Sequence, residues 1–348
     1  MDRQTAESLI SALPVPVLMI SANERVHIAN PAAEALFGPG LEGRNPSAFL
    51  RHPVFMGALE GALGYGRPAV VRLMLPGKGS GETSLSVNLM PVPDLDGRRG
   101  VLVTFEDLTA LDTAEAMRRD FVANVSHELR TPLTALMGFI ETLKGAARDD
   151  TVARDRFLGI MEREAGRMIR LINDLLSLSR VEAEERRRPD EPVEIIGLLK
   201  SVVAALRPRA DSAGVALVLD GMPGPVTIPG DPDQLAQVFH NLVENAVKYA
   251  AAGREVTLRV SRVEREPVLR GAAVQVDVID KGEGIDPLHL PRLTERFYRV
   301  DTHRSREQGG TGLGLAIVKH IVSRHRGRFR IDSEIGKGSR FRVLLPEG

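Results

Sequence analysis

Apolar residues or proline stand at positions 122, 125, 129, 132, 136, 139 and 143, alternately three and four apart. Such a repeat is a heptad seam, and it commits the segment to a helix packed in a coiled-coil-like bundle. With Val122 at heptad position a, His127 takes position f, the farthest from the seam. A histidine there faces water from a rigid helix and fills no core. Its neutral imidazole is a nucleophile near neutral pH, and Glu128 beside it can polarise or deprotonate the ring. Thr131 follows one turn later on the same face. Pro132 removes a backbone hydrogen bond and is expected to bend the helix just past that turn. On spacing alone, an ordinary surface histidine on an amphipathic helix is the commoner outcome.

The seam belongs to the first of two long helices, expected over about residues 109 to 147. A charged break, Arg148-Asp149-Asp150, precedes the second helix. There Phe157, Met161, Met168, Leu171, Leu175 and Leu178 keep near-heptad spacing, and Ile169, Ile172 and Leu176 widen the stripe. A hairpin with one apolar face per helix cannot bury itself alone, so pairing of two chains into a four-helix bundle is expected. Residues 184–191, charged and containing Pro189, end the helix and read as a hinge.

Upstream, residues 1 to about 108 mix short β-like runs with turn clusters. A helix is expected over Pro31–Phe37, and strands over 69–75, 84–90 and 100–107, with glycine-rich loops at 77–81 and 94–99. Cysteine is absent, which excludes disulfides, thiolate metal sites and cysteine nucleophiles. A formal net charge of zero gives no pointer to nucleic acid or an anionic membrane surface. The most apolar segment, residues 14–20, is short and holds two prolines, so it cannot span a bilayer. No signal-peptide pattern opens the chain. As it stands the chain is expected to be cytoplasmic, with an upstream membrane anchor left open.

From residue 192 onward strands and helices alternate, as in a layered α/β domain. One helix opens at Asp231-Pro232, an N-cap residue followed by proline at the first helical position. Leu235, Val238, Phe239, Leu242 and Ala246 form its core stripe, while Asn241, Asn245 and Lys248 share another face. Amides beside an amine suit the oxygen-rich surroundings of Mg²⁺ and a triphosphate. An exposed polar face is the alternative that spacing leaves open. The run from Val276 delivers Asp280 into a turn with Gly282, Gly284 and Ile285, where a carboxylate can accept a hydrogen bond from an adenine amine. Gly310, Thr311, Gly312, Leu313 and Gly314 form a glycine-rich loop entering a helix, a usual seat for phosphate.

Residues 127–133 read His-Glu-Leu-Arg-Thr-Pro-Leu, and at all seven positions they resemble the phosphoacceptor box of the sensor histidine kinases. Residues 241–249, the Asp280 turn, Arg296-Phe297-Tyr298-Arg299 and the 309–319 loop resemble, in order, the N, G1, F and G2 boxes of that family's ATP-binding domain. That domain is an α/β sandwich of Bergerat type, shared with certain gyrases, mismatch-repair ATPases and a heat-shock chaperone. The run from His27 to Phe37 resembles the strand-to-helix turn of a PAS sensor domain. Together these resemblances imply a multidomain α+β chain: a PAS-like domain over 1–108, a dimerising phosphotransfer hairpin over 109–186, a linker over 187–192 and an ATP-binding domain over 193–348.

The resemblance further implies a homodimer that uses ATP and Mg²⁺, phosphorylates His127 with help from Glu128, and passes the phosphoryl group to an aspartate of a cognate response regulator. Thr131 matches a position held by Thr or Asn in members that also dephosphorylate their regulator. Nucleotide contacts would fall to Asn241, Asn245, Lys248, Tyr249, Asp280, Gly282, Gly284, Ile285, Phe297, Arg299 and the 310–314 loop, with Asn241 and Asn245 on the metal. The segment from Asp286 to Gln308 holds five arginines and is expected to close over the triphosphate as a lid. Lys281 stands where relatives usually carry Asn, and its side chain is expected to point away from adenine. ATP-hydrolysing relatives carry Glu at the position of Asn241, so Asn there favours transfer over hydrolysis. A non-kinase ATPase of the same fold would not need the His127 box, and a kinase-dead scaffold would show a broken one. The overall pattern resembles the phosphate-sensing kinases.

Overall fold

A computed structural model of the chain describes residues 3–77, 81–93, 98–184, 187–222, 224–250, 255–266, 271–300 and 310–347. Two compact units divide it, Met1–Ala123 and Asn124–Gly348.

The first unit holds α1 (Arg3–Ser11), β1 (Val17–Ile20), β2 (Val26–Ala29), α2 (Pro31–Phe37), α3 (Pro53–Tyr65), β3 (Ala69–Pro76), β4 (Glu82–Pro93) and β5 (Arg99–Asp107). Its five strands form one antiparallel sheet in the order β2-β1-β5-β4-β3. Helix α2 has the bounds its sequence announces, because Asn30 caps it and Pro31 opens it. Helix α3 has no counterpart in the sequence reading: three glycines dilute its pattern, yet Phe55, Leu59 and Ala62 recur on one buried face. The rings of Phe37 and Phe55 lie 4.9 and 6.4 Å from that of Phe105, so aromatic side chains fill this core. On the other side, Ile10 of α1 packs with Val17, Met19 and Ile28.

Asn30 joins these parts from a fully buried position. Its Oδ1 accepts from the backbone N–H groups of Val17 and Ala33, each at 2.9 Å. Its Nδ2 donates to the carbonyls of Ile10, Leu13 and Val15 at 3.3, 3.1 and 2.8 Å.

In the second unit the hairpin consists of α4 (Thr109–Lys144), whose first turns lie in the preceding unit, and α5 (Thr151–Ala183). Helix α4 runs through Pro132, where the Thr131 and Thr134 hydroxyls donate to the carbonyls of His127 and Arg130 at 3.1 and 3.0 Å. It stops at Lys144, three residues short of the expected end, in a turn closed by the Ala147 N–H on the Thr142 carbonyl at 2.9 Å. Asp150 caps α5 by accepting from the Ala153 N–H at 2.9 Å. Phe139 and Phe157 stack between the helices with centroids 5.3 Å apart. Helix α5 has two apolar sides: Leu171, Leu178 and Val181 are buried, whereas Ile169, Ile172 and Leu176 are 60%, 44% and 53% exposed.

Beyond the hairpin come β6 (Glu191–Glu194), α6 (Ile195–Ser212), β7 (Ala216–Asp220), β8 (Thr227–Gly230), α7 (Pro232–Tyr249), β9 (Glu255–Glu266), β10 (Gly271–Asp280), α8 (Gly314–Arg324), β11 (Arg328–Glu334) and β12 (Gly338–Pro346). A five-stranded sheet in the order β11-β12-β10-β9-β7 carries α6, α7 and α8. All strand pairs in it are antiparallel except β7 with β9. The α7 stripe expected from sequence is buried throughout and is joined by Val243 and Val247. His325, 1% exposed, ties α8 to α7: Nδ1 donates to the Ile321 carbonyl at 2.8 Å and Nε2 accepts from the Asp231 N–H at 3.0 Å. Burial pushes its pKa down and so favours the neutral ring, the only form able to accept. Among the described residues no helix is long and apolar enough to cross a membrane.

Replacing Asn30 by Ala strands the buried N–H groups of Val17 and Ala33 and takes a donor from three carbonyls, of which that of Ile10 keeps the Leu13 N–H. It should lower the stability of the first unit by about 2–4 kcal/mol in urea unfolding. Asn30→Asp should cost at least as much, since it aims a carboxylate at carbonyl oxygens. A loss below about 0.5 kcal/mol for both would show that water replaces the side chain.

Candidate phosphoacceptor and nucleotide site

His127 is exposed on α4, as the heptad placement requires. Glu128 does not stand open beside it: its Oε2 accepts from Arg167 Nη2 at 2.7 Å and from Arg299 Nη2 at 3.1 Å. Arg167 lies on α5, and Arg299 belongs to the 296–299 run far along the chain. The acceptor helix and the nucleotide boxes therefore meet at the residue next to His127. The Arg167 and Arg299 side chains are 12% and 6% exposed, so both pairs form in poorly solvated surroundings where charge pairing is strong.

Along α5 the same contact continues. The Thr311 hydroxyl donates to Asp174 Oδ2 at 2.6 Å and Ser177 Oγ donates to Gln237 Oε1 at 2.7 Å. Glu182 pairs with Arg296 and lies 3.6 Å from His320 Nε2. Burial pushes the Asp174 carboxyl up from its ordinary range, against the hydrogen bond from Thr311.

On α7, Asn241 Nδ2 donates to the Gly314 carbonyl at 3.3 Å, which fixes the amide and leaves Oδ1 as its outward oxygen. Asn245 and Lys248 follow on the same face, and the Lys248 ammonium lies 5.0 Å from the centre of the exposed Tyr249 ring. Two asparagine amides on one helical face supply the neutral oxygens a hard divalent cation accepts beside a polyphosphate. No group of three His, Cys, Asp or Glu side chains able to hold a metal occurs among the described residues.

Asp280 ends β10 and is 4% exposed. Its Oδ1 accepts from the Gly282 N–H at 2.9 Å and the Ser339 N–H at 3.2 Å. Both bonds use one oxygen, so Oδ2 keeps its acceptor capacity among the described residues. Burial raises the Asp280 pKa despite the two bonds. Lys281 turns instead to Glu255, with Nζ 2.8 Å from Oε1. The Ile285 N–H donates to Ser333 Oγ at 2.8 Å. Gly284 has φ +72°, and a Cβ there would run into the Glu334–Ile335 backbone, so glycine is needed for the protein's own packing.

The F and G2 stretches close on each other. Gly312 has φ +75°, and a Cβ on it would lie 2.8 Å from the Phe297 Cα. The Phe297 N–H donates to the Gly312 carbonyl at 2.8 Å, and Phe297 itself sits at φ +66°, a sparsely allowed region for a bulky residue. Nearby, His289 Nδ1 meets the Tyr298 hydroxyl at 2.6 Å, and the Arg292 guanidinium lies 4.2 Å from the Tyr298 ring centre. Gly309 and residues 301–308 of the expected lid lie outside the described residues.

The sequence motifs therefore occupy neighbouring places on α7, the Asp280 turn, the 296–299 run and the start of α8. Sequence reasoning missed Arg167, Asp174, Glu182, Ser333 and Ser339. Asp174 and Glu182 read as part of a solvated helix face, because their partners lie more than a hundred residues away.

Comparison with known proteins agrees with this layout. Residues 117–184 match the His Kinase A (phospho-acceptor) domain family. Residues 230–348 match the histidine kinase-, DNA gyrase B-, and HSP90-like ATPase family. The chain is 40% identical over 334 residues to the phosphate regulon sensor protein PhoR of Pseudomonas aeruginosa, covering 95% of this chain and 72% of PhoR. It is 38% identical over 252 residues to the sensor-like histidine kinase SenX3 of Mycolicibacterium smegmatis, covering 72% of this chain and 63% of SenX3. The fold is also that of histidine kinase ThkA, solved in complex with response regulator protein TrrA, at a TM-score of 0.51 with 19% identity and 98% of each chain covered.

An Asp whose pKa is raised by burial costs the folded state free energy while ionised; that cost is present above the raised value and relieved as pH falls through it. Asp280→Asn removes the charge and keeps an oxygen for the Gly282 and Ser339 N–H groups. The ATP-free protein should melt no lower than wild type at neutral pH, and higher by a few degrees if the charge dominates. The further rise that ATP gives wild type should disappear. A lower melting point with an intact ATP response, read by scanning fluorimetry, would overturn this view of Asp280.

Proposed function

The chain belongs to the sensor histidine kinases, it is a protein-histidine kinase that uses ATP, and from that premise we propose how its residues divide the work. Residues 1–108 act as a PAS-like sensor, 109–186 as the dimerising phosphotransfer hairpin, 187–192 as a linker and 193–348 as the ATP-binding domain. What carries the reading is one contact: Glu128, next to His127, pairs with Arg299 of the nucleotide boxes.

ATP takes the space bounded by α7, the Asp280 turn and the 310–314 loop. Asp280 accepts from the adenine amine through Oδ2, with Gly282, Gly284 and Ile285 shaping the turn beneath the base and Tyr249 beside it. Lys248 and the N–H groups around Gly310, Thr311, Gly312, Leu313 and Gly314 face the phosphates at the start of α8. Mg²⁺, held by Asn241 and Asn245, would neutralise charge on the triphosphate. Phe297 keeps the 296–299 run against Gly312.

His127 then attacks the γ-phosphorus in line as the bond to the β-phosphate oxygen breaks, and ADP leaves. Glu128 takes the proton from the ring nitrogen opposite the one attacking. In the arrangement seen, Glu128 is shared by two guanidiniums and Thr311 is bonded to Asp174, so transfer requires the nucleotide part to leave α5. Arg299 exchanges Glu128 for a phosphate oxygen, which keeps a poorly solvated guanidinium paired on both sides of the movement. The phosphoryl group passes on to an aspartate of a response regulator. The exposed stripe of Ile169, Ile172 and Leu176 is the surface that pairs with a second copy.

His127→Gln should keep ATP binding and lose all acid-labile, base-stable label from radioactive ATP. Label of that kind on the variant would displace His127 from the acceptor role.

Thr131 points its hydroxyl at the His127 carbonyl, and no step of the kinase reaction needs it. In the phosphatase reaction it orients water toward a phospho-aspartate docked on the hairpin. Thr131→Ala should keep autophosphorylation within about two-fold, since a small change on an exposed helix face costs little. It should also lengthen the life of the phosphorylated regulator in the kinase's presence. Unchanged lifetimes against an active wild type would leave Thr131 without that role.

A further inference from the structure

The guanidinium of Arg324 lies where three parts of the Asn124–Gly348 unit converge. Arg324 is the last residue of α8 and is 6% exposed. Its Nε donates to the carbonyls of Glu184 and Arg187, both at 3.2 Å, immediately after α5. Its Nη2 donates to Glu184 Oε2 at 2.6 Å, and its Nη1 lies 3.5 Å from Asp231 Oδ2. Asp231 is the N-cap of α7, and its own N–H is held by His325, the residue after Arg324. One side chain thus joins the exit of the hairpin, the helix bearing Asn241 and Asn245, and the helix that begins at the glycine-rich loop.

Nothing in ATP binding or in the acceptor box calls for a charge here. Burying a guanidinium costs free energy that only well-placed partners offset, and an apolar side chain at the end of α8 would avoid that cost. Two of the three hydrogen-bond acceptors are backbone carbonyls, with Asp231 held only as an ion pair, so the contact fixes the path of the main chain where it leaves α5. The planar guanidinium presents donors on three edges and reaches carbonyls and carboxylates together. A lysine ammonium concentrates its donors at one point.

We propose that Arg324 is a positioning residue: it fixes the pivot about which the nucleotide-binding part swings on the hairpin, and so sets the rate at which bound ATP meets His127 without contributing to ATP affinity. The proposal rests on the histidine-kinase reading. Transfer between two parts of one assembly depends on how narrowly their approach is confined. A linker freed from α8 spreads the same encounters over many unproductive orientations.

The full chain carrying Arg324→Ala, Arg324→Lys, Glu184→Ala or the Arg324→Ala/Glu184→Ala pair tests this. ATP affinity, measured with a fluorescent ATP analogue, should stay within about two-fold of wild type, while the autophosphorylation rate at saturating ATP falls by about ten-fold or more in Arg324→Ala. Lysine should not restore the rate. Glu184→Ala, which removes an exposed carboxylate and leaves both carbonyl contacts, should cost less. The double variant should be no slower than Arg324→Ala alone, because both changes remove one shared contact. A wild-type saturating rate in Arg324→Ala overturns the proposal, and so does a loss of affinity that accounts for the loss of rate. Should Arg324→Ala fail to fold, Glu184→Ala decides: a wild-type rate there overturns it. Absence of label on the wild-type chain would instead strike at the kinase reading itself.

Discussion

Helix α5 bears two loads on opposite sides, and the rest of the second unit is arranged around that fact. One side buries Leu171, Leu178 and Val181, flanked by Asp174, Ser177, Glu182 and Glu184. These polar side chains meet Thr311, Gln237, Arg296 and Arg324, all from the sheet-and-helix part. The other side leaves Ile169, Ile172 and Leu176 exposed in a stripe. A helix with water on one side would not keep so much apolar surface there, because burial of each such side chain is worth about 1.5–3 kcal/mol. The docked side has a different character. Apolar contacts give it area, and its ion pairs and hydrogen bonds define a single register.

On the proposed reading that register matters, because its partners are among the residues assigned to ATP. Thr311 lies in the glycine-rich loop, Arg299 and Arg296 in the run that closes on it. With Thr311 and Arg296 bonded to α5 and Arg299 bonded to Glu128 on α4, all three are withheld from phosphate in the proposed reaction, and Glu128 is withheld from His127. The docked arrangement and the reactive one therefore compete for the same side chains. Competition of this kind makes a sharp alternative, since each guanidinium needs a charged partner in one state or the other. A half-released state would leave a charge desolvated and unpaired, at a cost of several kcal/mol.

Much of this was legible in the chain. The α7 stripe, its Asp231 cap and its Pro232 opening are local signals, and local signals survive into the fold when tertiary packing reinforces them. The same holds for α2 and for the exposure of His127. What could not be read were relations between distant residues of ordinary type. Asp174 and Glu182 carry no mark that separates them from any solvated acidic residue on a helix. Helix α3 was hidden by its glycines, and α4 ended early because the Ala147 N–H takes the Thr142 carbonyl that the Ala146 N–H would bond in another helical turn. The 282–284 glycines were legible as necessary, but for Gly284 the neighbour that demands it is the 334–335 backbone.

Strain and desolvation also collect in one place. Phe297 holds a positive φ, Gly312 allows no side chain against it, and Asp280 is buried with its pKa raised. Each of these costs the apo protein free energy, and each lies within the residues assigned to ATP. The offset comes from elements with no chemical duty: the buried stripes of α7 and α8, and the His325 bond that locks one to the other. A nucleotide that accepts from Gly310–Gly314 and donates to Asp280 Oδ2 would relieve part of that cost on binding. The site is thus poised to gain order from its ligand while the scaffold beneath it stays fixed, and the coupling runs through α8. One end of that helix is the end proposed to meet phosphate; the other, through Arg324, holds the exit of the hairpin.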